Sequence, residues 1–306
     1  MLTVNKCLIC QQNLLSAHAA VFAAFVAKRV WNQPPFPVPI LECKMCRFAF
    51  AGTRFDQDEE RRLYENYRGA TYQSIRESCE PWYTASFNTH LSTGMMEKRR
   101  RPLAEIFRQY LPSRIRSVLD FGGDRGDLFD GLIPGATTYV YDISGIQPTD
   151  GVTALSNLEE CSAHKFDFVG CSNVLEHVAS PRGLLSDIRA IASPKTLVFV
   201  EVPTETPFGM RNYLKRTAQQ AILLIKRPAI AAPMFPLRFL RQVHEHVNFF
   251  TPYSLDRLLE VSGFEVLASG TYPSEGFSFG PYKLAAGRLA WSLGLIKSWE
   301  MTRKNA

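Results

Sequence analysis

The stretch Ser117-Val-Leu-Asp-Phe-Gly-Gly-Asp-Arg-Gly-Asp-Leu128 decides how this chain folds. A β-prone run ending at Phe121 meets a turn with glycines at 122, 123 and 126, and a helix start follows. Glycine accepts positive φ and lets a ligand come close to the backbone. In open parallel sheets ligands bind beyond the carboxyl ends of the strands. The turn is therefore the expected binding loop, through Asp120, Gly122, Gly123, Asp124 and Gly126.

The next strand candidate, Tyr139-Val-Tyr-Asp-Ile143, ends in a carboxylate. Asp142, with Ile143 beside it, stands where both hydroxyls of a ribose can be accepted, at about 1.5–3 kcal/mol per charge-assisted bond. A nucleoside cofactor is implied. A dinucleotide would set its pyrophosphate at the helix start, where Asp124 and Asp127 would repel it. S-adenosylmethionine has no phosphate and carries an ammonium and a sulfonium, which carboxylates favour. The acidic loop points to that cofactor.

Outward from the loop, strand patterns recur at 117–121, 138–142, 166–171, 196–202 and 264–269, with helical patterns at 181–191 and 254–262. This alternation predicts an α/β, Rossmann-like, doubly wound and mostly parallel sheet. Four zones follow. Residues 1–55 hold paired cysteines, 56–111 read as a charged helical cap, 112–275 form the cofactor-binding core, and 276–306 form a helical tail. Within the core, 213–242 is an apolar, basic insertion with Pro228, Pro233 and Pro236. That insertion and the amphipathic stretch 283–304 could cover the site, join two chains or lie on a membrane surface; a helical packing arm is the simpler reading.

Residues 118–126 resemble the first motif of class I S-adenosylmethionine-dependent methyltransferases, an acidic-x-Gly-x-Gly-x-Gly loop after a strand. The chain departs from it at Asp124, which replaces the middle glycine. Lys165-Phe-Asp-Phe-Val-Gly-Cys-Ser-Asn-Val-Leu-Glu-His-Val178, then Ser180-Pro181, resembles the fourth-strand segment of that family. The resemblance implies that Ser172 and Asn173 line the methionine end of the cofactor. It also implies that His177 lies beside the reaction centre, with fixing the loop as its alternative role. Leu197-Val-Phe-Val-Glu-Val-Pro203 fits the fifth strand. Val243-His-Glu-His-Val-Asn-Phe-Phe-Thr-Pro-Tyr-Ser-Leu255, with Ser262-Gly-Phe264, is similar to the His-Glu-His segment of sugar and small-molecule methyltransferases. A histidine beside a carboxylate can act as a general base near neutral pH. Glu245 and His246 are thus candidates for managing an acceptor proton. Glu245 could instead hold a sugar hydroxyl, or the pair could order the chain's return to the sheet.

Four of the seven cysteines form two pairs, Cys7-Leu-Ile-Cys10 and Cys43-Lys-Met-Cys46. Each pair offers two thiolates from one tight turn, the spacing of a closed, structural Zn2+ site, despite a spacer of 32 residues. Such binding is worth about 10–16 kcal/mol in small modules. Cys79, Cys161 and Cys171 stand alone, so thiolate chemistry fits better than a disulfide framework. A four-Cys module, a Tyr/Arg-rich stretch (Tyr64, Tyr67, Arg68, Tyr72, Arg76, Tyr83) and this core together resemble the sugar C-methyltransferases that act on nucleotide-linked deoxysugars. Those proteins carry a further C-terminal domain, so the resemblance spans about residues 1–270.

A net charge of +6 over 306 residues, without a dense Arg/Lys stripe, argues against nucleic acid as partner. A sugar or similar small metabolite is the expected acceptor. Two alternatives stay open. One is a nucleic-acid methyltransferase using the zinc module as an arm; the other is a non-catalytic binding protein of the same fold, for which Asp124 speaks. The apolar run 14–27 is broken by Ser16 and His18 and is too short to span a bilayer. The first residues lack a signal pattern. A cytoplasmic location is expected.

Overall fold

The computed structural model describes residues 1–90, 96–112, 114–205, 221–222, 224–226, 228, 240–273 and 296–304. The N-terminal part has strands β1 (Leu2–Thr3), β2 (Leu15–Phe22), β3 (Pro37–Cys43), β4 (Ala49–Ala51) and β5 (Thr53–Arg54), with helix α1 (Ala24–Trp31) after β2. Four cap helices follow: α2 (Gln57–Tyr64), α3 (Ala70–Cys79), α4 (Ala85–Thr89) and α5 (Met96–Tyr110). The core runs β6 (Ser117–Phe121), β7 (Thr137–Tyr141), β8 (Thr153–Leu155), α6 (Leu158–Ala163), β9 (Phe168–Ser172), α7 (Pro181–Ile191) and β10 (Leu197–Pro203). It continues through β11 (Arg241–Val243), β12 (Asn248–Phe249), α8 (Pro252–Val261), β13 (Phe264–Pro273) and β14 (Ile296–Lys304).

The large sheet has the order β13-β14-β10-β9-β6-β7-β8. From β10 to β8 every pairing is parallel. The chain winds from β6 out to β8, then returns to β9 on the other side of β6. The winding direction reverses there, and ligands of such sheets bind at that reversal. Strand β9 is buried at every position, as a strand covered on both faces must be. On one face Phe107, Phe129, Phe168 and Phe199 pack together, edge to face for Phe107 on Phe168 (5.1 Å between centroids) and Phe129 on Phe168 (5.6 Å), and stacked for Phe107 on Phe129 and Phe168 on Phe199. Gly170 in β9 makes room for this packing, because a Cβ there would lie 2.2 Å from the Phe129 ring.

Helix starts follow their local chemistry. Ser180 Oγ accepts from Gly183 N ahead of Pro181, and Thr251 with Ser254 makes a reciprocal cap ahead of Pro252. Asp56 and Glu59 form a capping box on α2.

Two expectations are corrected. The cysteine zone does not close on itself at residue 55. Its sheet has the order β11-β2-β3-β4-β12, so residues 241–249 supply both edges. The tail is not helical over 296–304. There β14 lies between β13 and β10, antiparallel to both. Backbone partners on two sides override a weak helical pattern. Residues 283–295 and most of 213–242 lie outside the described residues, and so do the covering, pairing and membrane roles considered for them. Among the described residues no helix is long and apolar enough to cross a membrane.

Candidate active site

The cofactor edge forms where β6 and β7 end. Gly122 and Gly126 have φ of 74° and 75°, and Asp124 has φ of 57°. Aspartate is one of the few L-residues that enter the left-handed region readily. Asp124 therefore keeps the backbone shape that the family's middle glycine would give. A Cβ at Gly122 would lie 2.7 Å from Val174, and one at Gly123 would meet the Asp120 carboxylate at 2.0 Å. Asp142 fastens the loop, since its carboxylate accepts from Asp124 N at 2.8 Å and from Ser144 N at 2.7 Å. Ile143 is exposed beyond it.

The loop is electron-rich. Burial pushes the Asp120 carboxyl well above the usual range, although Arg99 opposes this. Burial and the neighbouring Asp142 raise Asp124 to about 6. Asp120 Oδ2 and Asp124 Oδ1 are buried without a hydrogen-bond partner. A glycine cradle with two such oxygens fits a ligand that brings N–H donors and positive charge. S-adenosylmethionine does; a pyrophosphate does not. At the end of β9, Ser172 Oγ accepts from Arg99 at 3.1 Å and donates to Glu201 at 3.2 Å. Asn173, also left-handed, donates its N–H to Glu201 O at 2.9 Å.

The acceptor edge gathers residues from four distant segments. His177 Nδ1 lies 3.1 Å from Tyr64 OH and 3.2 Å from the Glu245 carbonyl, which can only accept. Tyr64 OH also donates to the Glu245 carbonyl at 3.4 Å, and Glu176 Oε1 lies 3.9 Å from His177 Nε2. The His246 ring packs edge to face on His177 at 4.7 Å, and its Nδ1 meets Glu205 at 3.0 Å. Glu245 accepts from Tyr72 OH and, at 2.6 Å, from Arg76, which also donates to Glu80 at 3.0 Å. Sequence reading brought His177, Glu245 and His246 to one place. It did not find Glu205, which no spacing marks.

Nor did it find Arg54 and Asn248. Buried Arg54 donates to the carbonyls of Val178 (2.6 Å), Val247 (2.9 Å), Ala179 (3.0 Å) and Ala51 (3.3 Å), and to Asn248 Oδ1 (2.8 Å). Asn248 Nδ2 donates to Leu175 O at 2.7 Å. These two side chains tie the histidine loop to the N-terminal sheet.

Charge separates the three candidate residues. Burial would raise Glu245, but the Arg76 charge and the hydrogen bonds from Tyr72 and Arg76 hold it down at about 2. It is a fixed anion. Burial and the charge on His246 hold His177 at about 3, so it stays neutral. Partial burial would lower His246, yet Glu205 raises it to about 9.

The four paired cysteines converge. Cys7 and Cys46 have sulfurs 3.4 Å apart, Cys10 and Cys43 3.5 Å, and all four lie within 4.8 Å of one another. A tetrahedral zinc with Zn–S bonds of about 2.3 Å needs sulfurs about 3.8 Å apart. Each pair ends in a matching turn, with Gln11 N donating to Cys7 O and Arg47 N to Cys43 O, and both donors have positive φ.

A methyltransferase-domain family model matches residues 95–269. A search of curated proteins finds no match. Among solved structures, the chain is similar to the 1,6-didemethyltoxoflavin-N1-methyltransferase of Burkholderia thailandensis, at 17% identity and a TM-score of 0.45, over 86% of this chain and 98% of that one. It is also similar to a chain of the Haloferax volcanii complex that contains the Trm112 methyltransferase activator, at 10% identity and a TM-score of 0.46, over 76% and 97%. With the loop, the reversal point and the family match together, the chain belongs to the methyltransferase-domain family and is an S-adenosylmethionine-dependent methyltransferase.

Proposed function

We propose that the chain methylates a sugar, nucleotide-linked or polysaccharide-related, or a similar small hydroxylated metabolite, with a structural Zn2+ on Cys7, Cys10, Cys43 and Cys46. One observation carries the reading: beside the cofactor loop stands a wall of partly exposed Tyr64, His177 and His246, backed by buried Tyr72 and Glu245 and joined with them in one network. Such a wall suits an acceptor with many hydroxyls. Asp120, Gly122, Gly123, Asp124, Gly126, Asp142, Ile143, Ser172 and Asn173 form the cofactor side.

When bound, S-adenosylmethionine supplies an electrophilic methyl group. The protein's part is to align the acceptor atom in line with it and take up a proton. Alignment of this kind accounts for much of the rate in such displacements. His246 takes the acceptor proton on Nε2, while Glu205 holds its Nδ1–H and stabilises the imidazolium. His177, neutral, keeps the loop in register through the contacts of its Nδ1 with Tyr64 and the Glu245 carbonyl. Glu245, ionised, anchors the cap through Arg76 and Tyr72.

The test is transfer of label. Zinc-loaded full-length protein is incubated with methyl-labelled cofactor and a panel of nucleotide-linked sugars, small hydroxylated metabolites and total RNA. Label on a sugar or metabolite is the expected result. Label confined to RNA would overturn the acceptor class. Metal analysis should return one zinc per chain, and a Cys43→Ser, Cys46→Ser variant should lose it.

A further inference from the structure

The turn at residues 65–69 carries an arginine, Arg68, whose guanidinium makes no ion pair or hydrogen bond among the described residues. Arg68 has φ of 58° and Asn66 of 50°, so the turn is unusual backbone. It is fastened at two points: Asn66 N donates to Ser144 O at 2.9 Å, and Asn88 Nδ2 donates to Arg68 O at 2.9 Å. Ser144 is also the residue whose N–H caps Asp142. The turn therefore lies against the ribose side of the cofactor edge.

The neighbouring arginines are satisfied. Arg76 is paired with Glu245 and Glu80, Arg29 donates to the carbonyls of Leu63 and Glu65, and Arg54 donates to four carbonyls and Asn248. Arg68 differs. Its guanidinium lies over the Tyr67 ring at 4.9 Å, its Nε is buried without a hydrogen-bond partner, and among the described residues no carboxylate pairs with it. Its charge acts on Asp124 of the cofactor loop and on Glu245 of the acceptor wall. A guanidinium presents five donors in a planar fork that matches two anionic oxygens. Glu245 and Asp124 favour its charge, but a buried N–H left without an acceptor is costly unless a ligand supplies one.

We propose that Arg68 is the anion receptor of this site, taking two anionic oxygens, carboxylate or phosphate, of a bound ligand. Two sources share that chemistry: the amino-acid end of the methyl donor, and an acidic group on the acceptor. The proposal rests on reading residues 118–142 as the donor site.

The experiment compares full-length wild type with Arg68→Gln and Arg68→Lys, each checked for an unchanged circular dichroism spectrum. Calorimetry is run with S-adenosylhomocysteine and with methylthioadenosine, which keeps the nucleoside thioether and lacks the amino-acid end. If the donor supplies the anion, Arg68→Gln loses roughly tenfold to hundredfold in affinity for S-adenosylhomocysteine and none for methylthioadenosine. Arg68→Lys, which keeps the charge and loses the fork, falls between. If the acceptor supplies it, both affinities hold, but inorganic phosphate or succinate raises the melting temperature of wild type and not of Arg68→Gln. The proposal is overturned if Arg68→Gln matches wild type in all of these readings. Wild type that binds neither nucleoside breaks the donor-site reading instead. Arg68 is then judged on the melting-temperature arm alone, which is run with and without S-adenosylhomocysteine.

Discussion

The two edges of the site are built in opposite ways. The cofactor edge, residues 117–144, is two consecutive strands and their turns, closed by hydrogen bonds between near neighbours such as Asp142 to Asp124 and to Ser144. The acceptor edge joins Tyr64 and Tyr72 from the cap, His177 after β9, Glu205 after β10, and 245–246 from the return to the N-terminal sheet. A local edge is rigid because short-range backbone geometry sets it. A distributed edge is rigid only if something holds its parts together, and here Arg54 and Asn248 do so. Loss of structure should therefore reach the acceptor edge first.

The largest expected effect is on that distributed edge. Arg54→Met takes a donor from four carbonyls and from Asn248 Oδ1, although Val178 O keeps Asn248 Nδ2 and Val247 O keeps Ala51 N, and should destabilise the protein by about 3–5 kcal/mol. Calorimetric melting checks the loss. Below the transition, donor affinity should stay near wild type while turnover falls, and equal loss of both would break the comparison. Next is Gly122→Val, which forces a branched side chain to positive φ against Val174. Strain of about 2–3 kcal/mol should weaken S-adenosylhomocysteine binding on the order of 100-fold, with little change in the acceptor edge by hydrogen exchange.

Glu205→Gln should act on pH dependence more than on folding. His246 is a base only when neutral, so turnover should rise with pH towards its raised value of about 9 and level off above it. Without the Glu205 carboxylate the midpoint should move to lower pH, towards the ordinary histidine value of about 6.5. A midpoint that does not move would remove His246 from the proton path. The smallest effect is expected of Asp124→Gly. The backbone is already left-handed at that position, so donor binding should lose only the contact to the carboxylate oxygen, about 1.5 kcal/mol. An unchanged affinity would show that the carboxylate does not hold the donor.

Much of the sheet was legible. Apolar runs placed β6, β9 and β10 within two residues, because a strand buried on both faces must be apolar along its length; β7, whose burial alternates, was placed by its β-branched and aromatic residues. β14 was not, since Ile296–Lys304 mixes charged and apolar residues and owes its strand form to pairing on both sides. His177 and His246 carried a motif. Glu205 and Arg54 did not, because what makes each important is a contact with residues far away in the chain. Arg54 reaches Asn248 across 194 positions.

The sequence alone determined the binding loop, its acidic character, the cysteine spacing and the class of fold. Each depends on neighbours in the chain, where glycine φ, strand period and ligand spacing act directly. Tertiary structure decided which of the three candidate residues holds which charge. Glu245 lies between Arg76 and Tyr72, His177 faces a carbonyl, and His246 meets Glu205. The same side chains in other company would titrate elsewhere, because a buried ionisable group takes its proton affinity from the charges packed against it.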